Sequence, residues 1–183
     1  MKHIPNLLSA ARLALAPYLF LLLWRQEYRL ALAVSVICGV TDGLDGLAAR
    51  YFEANSRIGA YLDPIADKIL LSGAFLTLAL RGTIERWLAA IVIGRDVFIL
   101  LMAAWGFLFT SIRSFPPAFS GKASTTAQII FILLLMMHLA GWIGPVLVVV
   151  EKWITVGWAI ASGLEYTLRG IAQLRRPPVM MEE

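Results

Sequence analysis

Long apolar segments separated by short polar ones make up most of this chain. Six stretches of about 20 residues follow one another, the length that an α-helix needs to cross a bilayer. We predict spans at Ile4–Trp24, Leu30–Ala49, Gly59–Leu80, Trp87–Phe109, Ala123–Ala140 and Gly144–Leu168. The last span is interrupted by Glu151 and Lys152, so it could begin near Trp153 instead. The pattern predicts an all-α integral membrane protein with six transmembrane helices.

The composition supports this interpretation. The 183 residues are 60% hydrophobic and 15% charged, with a mean hydropathy of +0.77. Little chain is left outside the six spans, so we predict a single transmembrane catalytic domain over residues 1–183. Only Lys2 and His3 precede the first apolar run, which continues for a full span, so we expect neither a cleaved signal nor a transit segment. Cys38 is the only cysteine, which excludes an intrachain disulfide.

Basic residues predict the orientation in the membrane, because cytoplasmic loops are richer in Lys and Arg. With the N-terminus inside, nine basic residues are cytoplasmic: Lys2, Arg12, Arg50, Arg57, Arg113, Lys122, Arg169, Arg175 and Arg176. Five lie on the other side: Arg25, Arg29, Arg81, Arg86 and Lys152. We therefore expect both termini in the cytoplasm. The lack of a transit segment favours a bacterial or archaeal inner membrane, and we predict the bacterial one, with the active site facing the cytoplasm. The net charge of +4 suits anionic lipid head groups and is too small to indicate nucleic acid.

Four aspartates interrupt the second and third spans. Asp42 and Asp45 are three residues apart, and Asp63 and Asp67 are four apart, so each pair lies on one face of its helix. The two spans are antiparallel and joined by a short loop. Asp42 and Asp67 each lie about 12 Å along their helices from this loop. We therefore expect the four carboxylates to converge at one depth, near the cytoplasmic surface.

Buried carboxylates are costly unless cations balance them, so this cluster indicates metal. Carboxylate oxygens favour hard cations such as Mg²⁺ or Mn²⁺, and two such ions could share four aspartates and clamp phosphoryl oxygens. Gly46, Ala49 and Gly59 leave room beside the acids for a head group, and Arg50 suits a bidentate phosphate contact. The residues alone thus indicate a metal-bound diphosphate at the membrane face.

The same residues form a motif, D-x2-D-G-x2-A-R-x8-G-x3-D-x3-D, from Asp42 to Asp67. It resembles the signature of the CDP-alcohol phosphatidyltransferases. The run Ile4–Ser9 with Arg12 also resembles the start of the cardiolipin synthase and phosphatidylglycerophosphate synthase branches, and Gly121-Lys122 resembles their fifth-span entry. The resemblance implies a six-helix membrane fold and a homodimer.

The resemblance also implies roles for individual residues. Asp42, Asp45, Asp63 and Asp67 would hold two divalent ions on the diphosphate of CDP-diacylglycerol, and Asp67 would be the general base on the acceptor hydroxyl. The binding site for the CDP-lipid would be lined by Gly46, Ala49, Arg50 and Gly59. CMP would be the leaving group.

The acceptor is either phosphatidylglycerol or glycerol 3-phosphate. Phosphatidylglycerophosphate synthases resemble this chain but carry two extra cations, at positions that are Ala103 and Ser124 here. A phosphomonoester dianion needs several fixed cations, so their absence favours phosphatidylglycerol and a cardiolipin product. Arg95, Arg113 and Lys122 are the candidate acceptor contacts.

Other interpretations of the charged residues stay open. The four aspartates could form the ion pathway of an ion-coupled membrane carrier. Arg95 and Asp96 could be a structural ion pair or a wall of the acceptor pocket. Lys68 could be a counter-charge or a snorkelling side chain.

Overall fold

The chain folds into helices, and the described part contains no strand. The computed structural model describes the backbone of residues 4–52, 57–109 and 119–174, and the side chains of residues 14–41, 67–102, 104–105 and 119–171. The helices are α1 (Ile4–Trp24), α2 (Tyr28–Phe52), α3 (Arg57–Leu80), α4 (Arg86–Phe109), α5 (Phe119–Leu139) and α6 (Pro145–Leu174).

The predicted spans correspond to these helices one by one. The first agrees at both ends, whereas α2 continues to Phe52 and α3 already begins at Arg57. Hydropathy marks where apolar surface ends, and a helical backbone can continue into polar sequence, which explains the difference. A start of the last helix near Trp153 is wrong, because α6 begins at Pro145 and runs through Glu151 and Lys152.

Three tight turns connect α1 to α2, α3 to α4 and α5 to α6. Each contains one residue with positive φ: Gln26 at 62°, Gly82 at 77° and Gly141 at 82°. In each turn this residue donates its N–H to the carbonyl three residues back, and the next residue donates to the carbonyl five residues back. This pattern is the Schellman motif, in which glycine is favoured because it lacks a Cβ. Gln26 adopts the same conformation with a side chain.

The helices form a closed ring in the order α1, α2, α5, α6, α4, α3, and α3 also contacts α5 across it. Phe75 of α3 stacks on Phe131 of α5, with ring centroids 5.8 Å apart, and both side chains are fully buried. Gly73 of α3 faces the ring of Phe20 on α1. The position of α3, which carries Asp63 and Asp67, is therefore set by neighbours on several sides.

Within the described residues, two helices are long and apolar enough to cross a membrane. They are Phe119–Leu139 and Pro145–Ile171, and the most apolar stretch of each has a mean hydropathy of 1.4. Only 39% and 28% of their most apolar stretches are buried, less than is typical of a core helix of a soluble protein. Large apolar side chains such as Leu147, Ile160 and Leu168 cover the outside of α6. An apolar surface of this kind indicates a membrane-associated protein.

Candidate active site

The helices α2 and α3 carry the four aspartates. Both run without interruption through the motif positions, so Asp42 and Asp45 share one face of α2, and Asp63 and Asp67 share one face of α3. The side chains of residues 42–66 lie outside the described residues. This applies to three of the aspartates and to Gly46, Ala49, Arg50 and Gly59. Convergence of the four carboxylates therefore stays a prediction.

No group of three or more metal-ligating side chains occurs among the described residues. Asp67 is the one predicted ligand whose side chain is described, and it is half-buried. Two pairs of carboxylates at spacings of three and four on helical backbone suit a hard divalent cation such as Mg²⁺. The residues present are therefore compatible with the predicted metals.

Asp67 lies at the end of an apolar pocket of about 360 Å³, formed by α1, α2, α3 and α5. On α3 the pocket continues from Asp67 past Leu70 and Leu71 to Ala74, about 10 Å along the helix axis. Ser35 and Thr125 add the few other polar groups. The pocket thus combines a long apolar wall with a carboxylate at one end.

A second pocket, of about 410 Å³, is lined by basic and hydroxyl side chains from α3, α4, α5 and α6. Its lining residues are Lys68, Arg95, Ile99, Gly121, Lys122, Thr125, Thr126 and Tyr166. Two of the three predicted acceptor contacts, Arg95 and Lys122, therefore come together in one pocket. The third, Arg113, lies outside the described residues.

The two pockets adjoin. Thr125 lines both of them. Asp67 lines the apolar pocket, while Lys68, the next residue, lines the polar one. Consecutive residues of a helix point about 100° apart, which allows one turn of α3 to serve both. An amphiphilic molecule with an anionic head and an apolar tail matches this arrangement.

A buried ion pair lies at the wall of the polar pocket. Arg95 Nη1 is 2.5 Å from Asp96 Oδ1, and the two side chains are 7% and 9% exposed. Arg95 Nε donates to Ser162 Oγ of α6 at 3.1 Å. Lys68 Nζ is 4.0 Å from the same oxygen of Asp96. The ion pair between Arg95 and Asp96 is thus confirmed, and Lys68 is a counter-charge to Asp96. Arg95 lines the polar pocket and Asp96 does not, so a role in an acceptor pocket stays a prediction.

Gly121 lies close to two side chains of this wall. A Cβ at this position would lie 3.1 Å from Tyr166 Oη and 3.4 Å from Arg95 Nη2. A larger residue would therefore require the end of the Tyr166 side chain to move by a few tenths of an ångström. The resemblance pointed to Gly121 and Lys122, and the structure supplies this physical reason for the glycine.

Sequence reasoning missed the contribution of α6. Ser162 and Thr155 are fully buried, and Tyr166 lines the polar pocket. A signal was present, because Thr155, Ser162, Tyr166 and Arg169 recur at spacings of seven, four and three along an apolar helix. Thr155, Ser162 and Tyr166 of this stripe lie against α4 and α5, whereas Arg169 is exposed and pairs with Glu165.

Comparisons with known proteins show the family that this chain resembles. A family model described as CDP-alcohol phosphatidyltransferase matches residues 2–161. The cardiolipin synthase (CMP-forming) of Streptomyces coelicolor is 36% identical over 187 residues, which covers 94% of this chain and 83% of that protein. A probable phosphatidylglycerophosphate synthase of Mycobacterium tuberculosis is 26% identical over 182 residues, 95% of this chain and 84% of that protein.

A CDP-diacylglycerol–glycerol-3-phosphate 3-phosphatidyltransferase of Pseudomonas fluorescens is 37% identical over 109 residues, 56% of this chain and 55% of that protein. Relatives named for either acceptor therefore match the chain. The similarity identifies a common type of catalyst and leaves the acceptor to be argued from the residues.

Proposed function

We propose that this chain, which belongs to the CDP-alcohol phosphatidyltransferase family, transfers the phosphatidyl group of CDP-diacylglycerol to phosphatidylglycerol. Membership makes it an enzyme of phospholipid biosynthesis. The products would be cardiolipin and CMP. The observation that carries the proposal is the junction of a cationic pocket with an apolar pocket beside Asp67.

The junction of the two pockets supports a lipid with a charged head group as the substrate. A phosphate group in the polar pocket would lie among Lys68, Arg95 and Lys122, which supply the opposite charge. An acyl chain could follow Leu70 and Leu71 in the apolar pocket. Both parts would then be close to Asp67, where we place the chemistry.

The chemistry is displacement at phosphorus. The acceptor hydroxyl oxygen forms a new bond to the phosphorus of the phosphatidyl group, and the bond from that phosphorus to the CMP oxygen breaks. Asp67 would take the proton of the attacking hydroxyl, which requires hydrogen-bond reach. Members of the family generally use divalent metals. Asp42, Asp45, Asp63 and Asp67 would hold two Mg²⁺ or Mn²⁺ ions, which stabilise charge on the diphosphate and the leaving CMP.

The donor side of the site rests on residues outside the described side chains. Gly46, Ala49 and Gly59 would admit the cytidine diphosphate against the backbone of α2 and α3, and Arg50 would contact its phosphate. These assignments follow from the motif and its helical spacing.

Phosphatidylglycerol is the acceptor that the residues favour. Its phosphodiester carries one negative charge, whereas glycerol 3-phosphate brings a dianion and no acyl chain. Ala103 and Ser124 replace the extra cations of phosphatidylglycerophosphate synthases. Ser124 is fully buried and accepts a hydrogen bond from Gln128 at 3.4 Å, so it does not face the pocket. Glycerol 3-phosphate remains the alternative acceptor.

The wider setting belongs to the same proposal. The chain would be one domain of six transmembrane helices in a bacterial inner membrane, with the active site facing the cytoplasm. The excess of Lys and Arg on the side of the N-terminus supports this orientation. A homodimer is expected from the family.

The deciding experiment is a transfer assay with the purified full chain in detergent. CDP-diacylglycerol and Mg²⁺ or Mn²⁺ are supplied with phosphatidylglycerol in one series and glycerol 3-phosphate in the other. We expect CMP release and cardiolipin in the first series. Asp67→Asn and an excess of EDTA are the controls, and each should stop CMP release.

Two outcomes would contradict the proposal. Rapid conversion of glycerol 3-phosphate with no cardiolipin would make the protein a phosphatidylglycerophosphate synthase. No CMP with any alcohol, together with ion flux in liposomes, would favour the ion-coupled carrier.

A further inference from the structure

Arg95 lines the polar pocket, but four of its five guanidinium N–H groups donate within the protein. Nη1 donates to Asp96, Nε donates to Ser162, and Nη2 donates both to Ser162 and to the carbonyl of Gly121 at 3.5 Å. All three guanidinium nitrogens thus have protein acceptors. Bidentate binding of a phosphate requires two guanidinium N–H groups directed at the ligand. A ligand could obtain this contact from Arg95 only by displacing at least one protein acceptor: Ser162, Asp96 or the carbonyl of Gly121.

Asp96, which lies buried next to the pocket wall, offsets part of the positive charge of the same pocket. It is buried and does not line the pocket, while its partners Arg95 and Lys68 do. Among the described residues at this wall, three cations (Lys68, Arg95 and Lys122) are thus offset by one carboxylate. Since interactions between charges are strong away from water, this carboxylate weakens the attraction for a second negative charge on a ligand.

We propose that Asp96 and Ser162 are positioning residues that determine acceptor specificity, an inference that rests on the proposed function. They hold the guanidinium of Arg95 so that the pocket accepts a phosphodiester monoanion and discriminates against a phosphomonoester dianion. Arg95 then acts as a fixed positive wall rather than as a phosphate clamp. Lys122, which is exposed, is the cation that can move to the head group.

Two variants test the two parts of this arrangement. Asp96→Asn removes the carboxylate charge at nearly constant shape. Ser162→Ala frees Nε and part of Nη2 of Arg95 and keeps the ion pair. Breaking a buried ion pair can prevent folding. If Asp96→Asn is not obtained as a folded protein, the result for Ser162→Ala decides the test.

Thr155→Val is the matched control. Thr155 is also fully buried on α6 and donates a hydrogen bond, to the carbonyl of Ala127 at 3.2 Å. It lies seven residues from Ser162, about 10 Å along the helix, and does not line the polar pocket. This change removes a buried hydroxyl from the same helix without touching Arg95.

The measurement is direct binding of glycerol 3-phosphate and of dioctanoyl phosphatidylglycerol to the full chain in detergent, by calorimetry. We expect both variants to bind glycerol 3-phosphate about tenfold more tightly, equal to about 1.4 kcal/mol. Binding of phosphatidylglycerol should change by less than about threefold, and Thr155→Val should change neither. A parallel transfer assay should show the same change in the ratio of kcat/KM for the two acceptors.

Unchanged affinity for glycerol 3-phosphate in the folded variants would overturn the inference. Equal weakening of both ligands would also overturn it, because that result indicates a merely structural role. Failure of the proposed function gives a different result: the binding shift would occur, but the wild-type protein would release no CMP.

Discussion

The contact of Gly73 with Phe20 offers a test of how helix packing controls the active site. A Cβ on Gly73 would lie 2.2 Å from Cζ of Phe20 and 2.8 Å from both Cε atoms. Ordinary contact begins near 3.4 Å, so Gly73→Ala requires a shift of more than 1 Å by the ring, by α1 or by α3. Gly73 lies six residues after Asp67 on the same helix, so a shift of α3 also moves the proposed base.

The magnitude follows from two opposing effects. Overpacking of a well-packed interior costs about 1–3 kcal/mol. Alanine is favoured over glycine within a helix by up to about 1 kcal/mol, which offsets part of this. We therefore expect a net loss of about 1–2 kcal/mol. For a chain of this size, that loss lowers Tm by about 2–8 °C.

The assay is thermal unfolding of the purified protein in detergent, read by tryptophan fluorescence, together with CMP release. Gly157→Ala on α6 is the matched control, because nothing lies within 4 Å of a Cβ there, and we expect its Tm to stay equal or rise. Adding Phe20→Leu to Gly73→Ala shortens the clashing ring and should restore part of the loss, as in a double-mutant cycle. Equal Tm values for the two glycine variants, or no rescue by Phe20→Leu, would refute the packing argument.

Three further predictions concern the base, a turn and an ion pair. Asp67→Asn should reduce transfer by a factor of about 10²–10⁴, and CMP release at the wild-type rate would disprove the role of base. Gln26→Gly should stabilise the fold by about 0.5–1 kcal/mol, since φ is positive there, whereas Gly82→Ala should destabilise it; denaturation that ranks them the other way would contradict this. The hydrogen bond from Lys152, at 2.8 Å, holds the pKa of Glu85 below its usual value. This pair should add about 0.2–1 kcal/mol above the unfolded pKa of Glu85, and the contribution should be lost as pH falls through the folded pKa. Glu85→Gln should remove that part of the pH dependence of Tm, and an unchanged pH profile would contradict the assignment.

Much of the fold could be predicted because its elements depend on local sequence. A run of apolar residues long enough to span a bilayer must satisfy its backbone groups internally, which favours a helix whatever its neighbours are. All six predicted segments are helical. The ends of the helices were harder to predict, as at Phe52 and Pro145. Hydropathy reports contact with lipid, whereas the end of a helix depends on hydrogen bonding of the backbone. Gln26 could not be predicted as a turn residue, since its own side chain does not favour positive φ.

The candidate site also has one part that the sequence predicts and another that depends on the tertiary structure. The motif from Asp42 to Asp67 predicted the type of chemistry, since four carboxylates at helical spacing with adjacent glycines and an arginine suit metal-bound diphosphate. It also placed the chain in its family before any helix was positioned. The side chains that would hold the metals remain a prediction from that spacing.

Only the tertiary structure decided which distant residues come together at the polar pocket. Lys68, Arg95 and Ser162 belong to three helices, and their contacts depend on the order of helices around the ring, which periodicity within one helix does not encode. Burial then gives Arg95 its fixed protein partners, because a guanidinium away from water must have its donors satisfied. The sequence by itself thus determined the elements and the type of chemistry. Long-range packing decided which protein partners hold Lys68 and Arg95.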